Sequence, residues 1–298
     1  MNQAHKMKKT VPRFLFIALC VTSSCYAHNA AKNAHHRNAE TPWTLRRDVD
    51  FFRIKSQQHQ DGALAYIFQN IGVTNKFYVE FGFNADNFEG GSGANSYVLH
   101  KHFGWKGLLL DGQHENPAIN LHKEFILPEN IASIFRKHNV PKEPDFVSID
   151  IDSYDIWLFK ALVTGGFRPR VLTVEYNANF PLGVSIACEP GSRTHQFDTA
   201  FGASLSAMDE AAREHGYSVM QVECGLDVVL VRDDVLKGEP APPLRHFEHC
   251  TEMRIHAPAT DERKSELMEY GVWKQTGGDI AEGKKAAQRW LRENPGRI

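Results

Sequence analysis

Residues 145–157 read DFVSIDIDSYDIW, and how this stretch is read decides the fold. Phe146 to Ile151 is a short apolar run bounded by polar residues, the pattern of a strand buried on both faces. It delivers two acids, Asp150 and Asp152, and passes through Ser153 into DIWLFKALVTGG, which reads as a helix ending at Gly165. Two carboxylates at the end of a buried strand are costly unless something uses or satisfies them.

The same strand-to-helix unit recurs on both sides. Upstream, DGALAYIFQNIG reads as a helix with Asp61 as N-cap and Gly72 past its end, and KFYVEFG as a strand. YVLHKHFG, closed by Gly104, is a helix and KGLLLDG a strand; EFIL reads as a third strand and PENIASIFRKHN as a helix. Downstream, RVLTVEYN is a fifth strand and SLSAMDEAAREHG an amphipathic helix. YSVMQVEC and DVVLVRDD, joined by the turn GL, should pair antiparallel. Strands alternating with helices give an α/β fold, a mainly parallel sheet with helices on both faces. Seven strands are expected, one of them antiparallel: the DVVLVRDD strand, inserted between the fifth and sixth.

Open α/β sheets bind ligands at the C-terminal ends of their parallel strands. Those ends carry Glu80 and Gly82, Asp111, Asp150 and Asp152, and Glu175 and Asn177. Helix capping accounts for Ser153 and Asp155; it does not account for Glu175, which lies inside an apolar strand. After the first strand Gly82 stands alone, with Asn84 where a second glycine would be, and Gly90, Gly91 and Gly93 come too late to build a pyrophosphate turn. A nucleoside methyl donor without phosphate needs only a close backbone turn and an acid for its ribose, and Asp111 is placed for that, since a carboxylate accepts from both vicinal hydroxyls.

FYVEFGFNADN, GWKGLLLDGQHENP, PDFVSIDIDSYDIWLFKAL and VLTVEYN, in that order, resemble class I S-adenosylmethionine-dependent methyltransferases, most of all the FkbM-type family, over roughly residues 55–235. The resemblance implies a Rossmann-like class I methyltransferase fold. It implies that Glu80, Gly82, Asn84, Asp111 and Asp150 bind S-adenosyl-L-methionine, with Asp150 and Asp152 facing methionine and acceptor. It implies methylation of a hydroxyl on a small molecule or glycan, since the Asn/Asp-Pro-Pro-aromatic motif of exocyclic-amine methylation is missing. Asn tolerates left-handed backbone, so the turn at Asn84 can survive the loss of glycine. Asp152 is placed to act as base; alternatively Asp150, Asp152, Glu175 and Asn177 hold a hard cation such as Mg²⁺, an arrangement similar to that of catechol-type methyltransferases.

Two rival readings rest on other features. Asp150-Ile151-Asp152 is also the D-x-D pattern of glycosyltransferases that hold a sugar nucleotide through a divalent cation, and a non-catalytic binding module on a methyltransferase fold would fit the altered glycine loop. The leader bears on both. The first 39 residues hold no Asp or Glu; Lys6, Lys8, Lys9 and Arg13 precede the apolar run Phe14 to Val21 and a small-x-small site at Cys25 to Ala27. Residues 1–27 therefore read as a signal peptide, or alternatively a transit peptide, too short to anchor the chain in a bilayer. The first places the protein in the periplasm, outside the cell or in the secretory pathway, the second in an organelle. Residues 28–42 read as a disordered linker, 43–237 as the methyltransferase-like domain, and 238–298 as a Pro-containing linker and polar helical segment.

The net charge of −2 offers no basic field for nucleic acid, and none is expected as partner. No pattern sets an oligomeric state. Of five cysteines, Cys188, Cys224 and Cys250 lie beyond the leader, enough for one bridge whose pairing spacing does not fix. Arg245 to Cys250 groups two histidines with a cysteine, a metal clip or an ordinary polar surface segment. The loop 178–202 would shape the acceptor side; His195 within it reads as a loop histidine rather than a base.

Overall fold

The computed structural model describes residues 41–90, 93–191, 197–296 and 298; the leader, all but the last two residues of the 28–42 linker, Gly91 and His195 lie outside these. Pro42–Ile298 form one compact unit. Helix α1 (Gln60–Ile71) leads into β1 (Phe77–Phe81), α2 (Tyr97–Phe103), β2 (Lys106–Asp111), β3 (Leu121–Lys123), α3 (Ile131–Lys137), β4 (Phe146–Ile149), α4 (Asp155–Thr164) and β5 (Val171–Glu175). Then come β6 (Ile186–Cys188), α5 (Leu205–Glu214), the hairpin β7 (Tyr217–Val222) and β8 (Asp227–Arg232), and α6 (Asp261–Lys264), β9 (Leu267–Glu269), α7 (Tyr270–Gln275) and α8 (Ile280–Glu293).

Seven strands form one sheet in the order β3-β2-β1-β4-β5-β8-β7. Strand β8 runs antiparallel to β5 and to β7, so it alone is reversed and sits between the fifth and last strands, as expected. This strand order is that of the Rossmann-like class I methyltransferase fold. The strands alternate two apolar sets. Val79, Phe81, Leu108, Leu110, Val147 and Ile149 pack with Phe135, Leu158 and Phe159 of α3 and α4. Tyr78, Leu109, Phe146, Val171 and Val229 pack with Leu64, Ile67 and Phe68 of α1. Each face buries its own set because side chains alternate along a strand.

The N-terminal edge is pinned by Asp145, the first residue of the decisive stretch. It is fully buried, pairs with Arg170 at 2.7 Å, and accepts N–H bonds from Thr74, Asn75 and Lys76. Burial pushes its pKa up, but Arg170 and Thr74 outweigh that and hold the carboxyl below its ordinary value.

Three local readings change. Strand β3 is Leu121–Lys123, not EFIL; the pairing of Asp111 with Lys123 ends the strand there and leaves Phe125 exposed on the rim. Helix α1 starts at Gln60 with His59 as N-cap. Asp61 turns back instead, and its Oδ2 accepts the N–H groups of Ile54, Lys55 and Ser56. The segment 238–298, read as a Pro-containing linker and polar helices, also holds a strand: β9 pairs antiparallel with β6, and Leu267 and Ala287 share an apolar cluster with Phe180 and Ile186. Cys224 at the β7–β8 turn is bonded to Cys250, and Cys188 is buried in β6.

Candidate functional site

The turn after β1 runs against the turn after β4. Gly82 has φ +73°, and a Cβ there would lie 1.5 Å from the Asp150 carbonyl oxygen, so only glycine permits the approach. Asn84 adopts φ +50°, the left-handed conformation that asparagine tolerates. Its N–H donates to Asp111 Oδ2 at 2.7 Å, joining the first turn to the end of β2.

Asp111 is buried, and its oxygens are unequally used. Oδ1 accepts from the N–H groups of Gln113 and His114 and contacts the His114 ring nitrogen; Oδ2 has Asn84 alone. Burial raises this carboxyl, but those donors outweigh it and hold the pKa below its ordinary value. An ionised carboxylate with one lightly used oxygen suits one ribose hydroxyl, where the sequence alone suggested both.

Strand β4 stops at Ile149, so Asp150 and Asp152 reach the rim through a turn and not through strand alternation. Asp152 has φ +58° and is exposed. The turn is held by buried Asp155, which accepts from Ile151 N at 2.8 Å and Ser153 N at 3.1 Å; burial pushes its pKa up to about 7. One oxygen each from Asp150, Asp152 and Glu175 lie within 4.8 Å of one another. That is about twice a hard-cation bond of 2.0–2.6 Å. Glu175 Oε2 is shielded from solvent and has no hydrogen-bond partner. Burial raises both Asp150 and Glu175 well above the ordinary range, helped by Asp227 in the first case and by Asp150 in the second.

Asn177 stands apart from this trio. Its amide donates to the carbonyls of Thr199 and Phe201, and its Oδ1 accepts from Asn179, so it braces the loop that follows β5. Glu80 is buried as well, and its two oxygens take the N–H groups of Asn95 and Ser96 at the approach to α2. It supports the turn from beneath, with a pKa raised by burial.

Of these groups Gly82, Asn84, Asp111, Asp150 and Asp152 border a cavity of about 490 Å³; Glu80, Glu175 and Asn177 do not line it. Its described lining carries four carboxylates (Asp111, Glu124, Asp150, Asp152) and no Lys, Arg or His. Glu124 is tied to Lys137 and His138. Phe125 and Phe197, both mostly exposed, put aromatic rings at the mouth. Sequence reasoning missed Glu124, Phe125, Tyr154 and Phe197 as lining residues. The position of Phe125 was hidden by assigning EFIL to a strand; Phe197 belongs to the loop 178–202 read as shaping the acceptor side, but nothing singled it out within that loop.

No family model matches the chain, and neither does any curated protein. Among solved structures, the N-terminal domain of EvdMO1, crystallised in the presence of SAH and D-fucose, is similar at 15% identity and a TM-score of 0.36. The match covers 71% of this chain and 97% of that one.

Proposed function

We propose that this chain is an S-adenosylmethionine-dependent methyltransferase that methylates a hydroxyl oxygen of a small molecule or sugar. The observation that carries the reading is the rim cavity: a glycine turn closed on Asp150, an ionised acid at the end of β2, and a lining that, among the described residues, has carboxylates and no basic side chain. A cationic donor is favoured in such a field, and a diphosphate is not. When bound, S-adenosylmethionine supplies an electrophilic methyl group on a sulfonium sulfur. Asp111 Oδ2 would take a ribose hydroxyl, the Gly82 turn would let the chain pass close to the donor, and Asp150 would face its methionine end. Asp152, exposed beside Asp150, would accept the proton of the acceptor hydroxyl as its oxygen bonds to the methyl carbon.

A hard cation at Asp150, Asp152 and Glu175 is the second reading of the same corner, favoured by their common reach and by the orphaned Glu175 Oε2. It would lower the pKa of the acceptor hydroxyl. Mg²⁺ suits such a site, since Asp152 is exposed and leaves room for retained waters.

We place the protein in a secretory or other oxidising compartment, a reading that the leader and the Cys224–Cys250 bond support. The donor would then have to be delivered there. Titration calorimetry with S-adenosylhomocysteine and with UDP, each with and without Mg²⁺, separates the readings. Binding of S-adenosylhomocysteine alone is expected; binding of UDP only with Mg²⁺ would favour a glycosyltransferase and overturn the proposal.

A further inference from the structure

The disulfide at the β7–β8 turn has a third neighbour. A ring nitrogen of His249 and the sulfurs of Cys224 and Cys250 all lie within 4.8 Å of one another. Cys250 is buried, Cys224 half-buried and His249 exposed, so the group opens to solvent on one side. All three belong to two short segments, the β7–β8 turn and the 3-10 helix Leu244–Cys250. His246 of the same helix is engaged elsewhere, its Nδ1 lying 3.1 Å from Arg47 Nη2. Ligand atoms around a tetrahedral zinc, bound at about 2.0–2.3 Å, stand about 3.5–3.8 Å apart. The His249 nitrogen is already within that range of adjustment.

The backbone holds the two cysteines together without the bond. The buried Tyr176 hydroxyl donates to the Cys250 carbonyl at 2.7 Å and accepts the Gly225 N–H at 3.1 Å. One phenol thus clips the residue after Cys224 to Cys250. Gln58 Nε2 fixes the Cys224 carbonyl from the other side, at 3.1 Å. If the sulfurs part, they are left facing each other beside an imidazole. Two thiolates and an imidazole suit Zn²⁺; hard cations such as Mg²⁺ and Ca²⁺ prefer oxygen. Two cysteines and one histidine, with water in the fourth place, complete a four-coordinate zinc centre.

We propose that Cys224, His249 and Cys250 bind one Zn²⁺ when the disulfide is reduced, so that bond and metal are alternative crosslinks at one place. A dithiol reductant supplies two electrons and two protons and becomes a disulfide itself, while Cys224 and Cys250 become thiols. Zn²⁺ then displaces both thiol protons to solvent, neutral His249 gives a nitrogen lone pair, and water takes the open side. In an oxidising compartment the bond is the resting form. The zinc form belongs to the chain before oxidation, or after a dithiol has acted. Either crosslink ties the β7–β8 turn to the segment near residue 250. The site shares no residue with the corner formed by Asp150, Asp152 and Glu175, and it stands or falls independently of the methyltransferase reading.

The full chain is reduced with a phosphine, which offers the metal no competing thiol, and its thermal unfolding is followed with equimolar ZnCl₂ or MgCl₂. Reduction lowers the midpoint; zinc is expected to recover several degrees of that loss, and magnesium none. His249→Ala separates a built site from loose binding to thiols. Its oxidised form should unfold as the wild type does, because His249 is exposed and takes no part in the bond. Its reduced form should recover little with zinc. No recovery in the wild type, or full recovery in His249→Ala, overturns the proposal. Co²⁺ gives a readout that does not depend on unfolding. In a Cys20→Ser, Cys25→Ser background, where the leader adds no thiol, the reduced protein should show sulfur-to-cobalt charge-transfer absorption. Adding Cys224→Ser should remove most of it; absorption that survives undiminished places the metal on other residues and overturns the site.

Discussion

Asp145 and Asp155 sit in the same short stretch and are both fully buried, yet their environments push them opposite ways. Asp145 has Arg170 and a ring of N–H donors, and is held ionised; Asp155 has two backbone donors among other acids, and is pushed up. A depressed folded pKa gives stability that is present above the unfolded value and lost as pH falls through the folded one. Asp145→Asn should therefore cost about 3–5 kcal/mol near neutrality, because Arg170 is left buried without its charge partner. The difference from wild type should narrow as pH drops below about 4, which denaturant unfolding at two pH values will read. At the donor site, Asp111→Ala should weaken S-adenosylhomocysteine binding by roughly 1.5–3 kcal/mol in calorimetry, with the fold intact by circular dichroism. Gly82→Ala should be worse, since its Cβ collides with the Asp150 backbone: a lowered melting temperature together with lost binding is expected.

At the scale of elements, most of the sheet could be read from the chain because buried parallel strands are continuous apolar runs and their helices end in glycine. The reversed strand was legible for a different reason, the short connection around Gly225 and Leu226 between two apolar runs, which brings the strands back as a hairpin, although the strands themselves stop at Val222 and restart at Asp227. Strand β3 was not legible: three residues carry too little periodicity, and the more apolar EFIL beside them drew the assignment. The short β6–β9 pair escaped for a related reason, since partners 80 residues apart in sequence leave no local mark. Nor could pairing of the cysteines be read, because it depends on the hairpin turn meeting the segment near residue 250. That bond closes a long loop, so Cys224→Ser should lower stability by about 2–4 kcal/mol. Reduction of the wild type should reproduce the loss in thermal unfolding.

For the whole molecule, the sequence placed Glu80, Gly82, Asn84, Asp111, Asp150, Asp152 and Glu175 on one rim; the structure sets Gly82, Asn84, Asp111, Asp150 and Asp152 around the rim cavity, with Glu175 next to Asp150 and Asp152 and Glu80 bonded to the Asn95 and Ser96 N–H groups. Asn177 lies on the same rim but its amide faces the loop. What could not be read was direction: strand alternation says which face a residue starts on, and says nothing after the strand has ended, where Asp150 and Asp152 lie. The absence of basic side chains among the described lining residues was also hidden, being a property of elements far apart in the chain. In the proposed function the rim cavity receives S-adenosylmethionine in one orientation. A crystal structure with S-adenosylhomocysteine tests it most directly. A ribose hydroxyl is expected on Asp111 Oδ2, with the homocysteine chain passing Gly82 toward Asp150; ligand bound elsewhere, or in the cavity with its ribose away from Asp111, would overturn the proposed function.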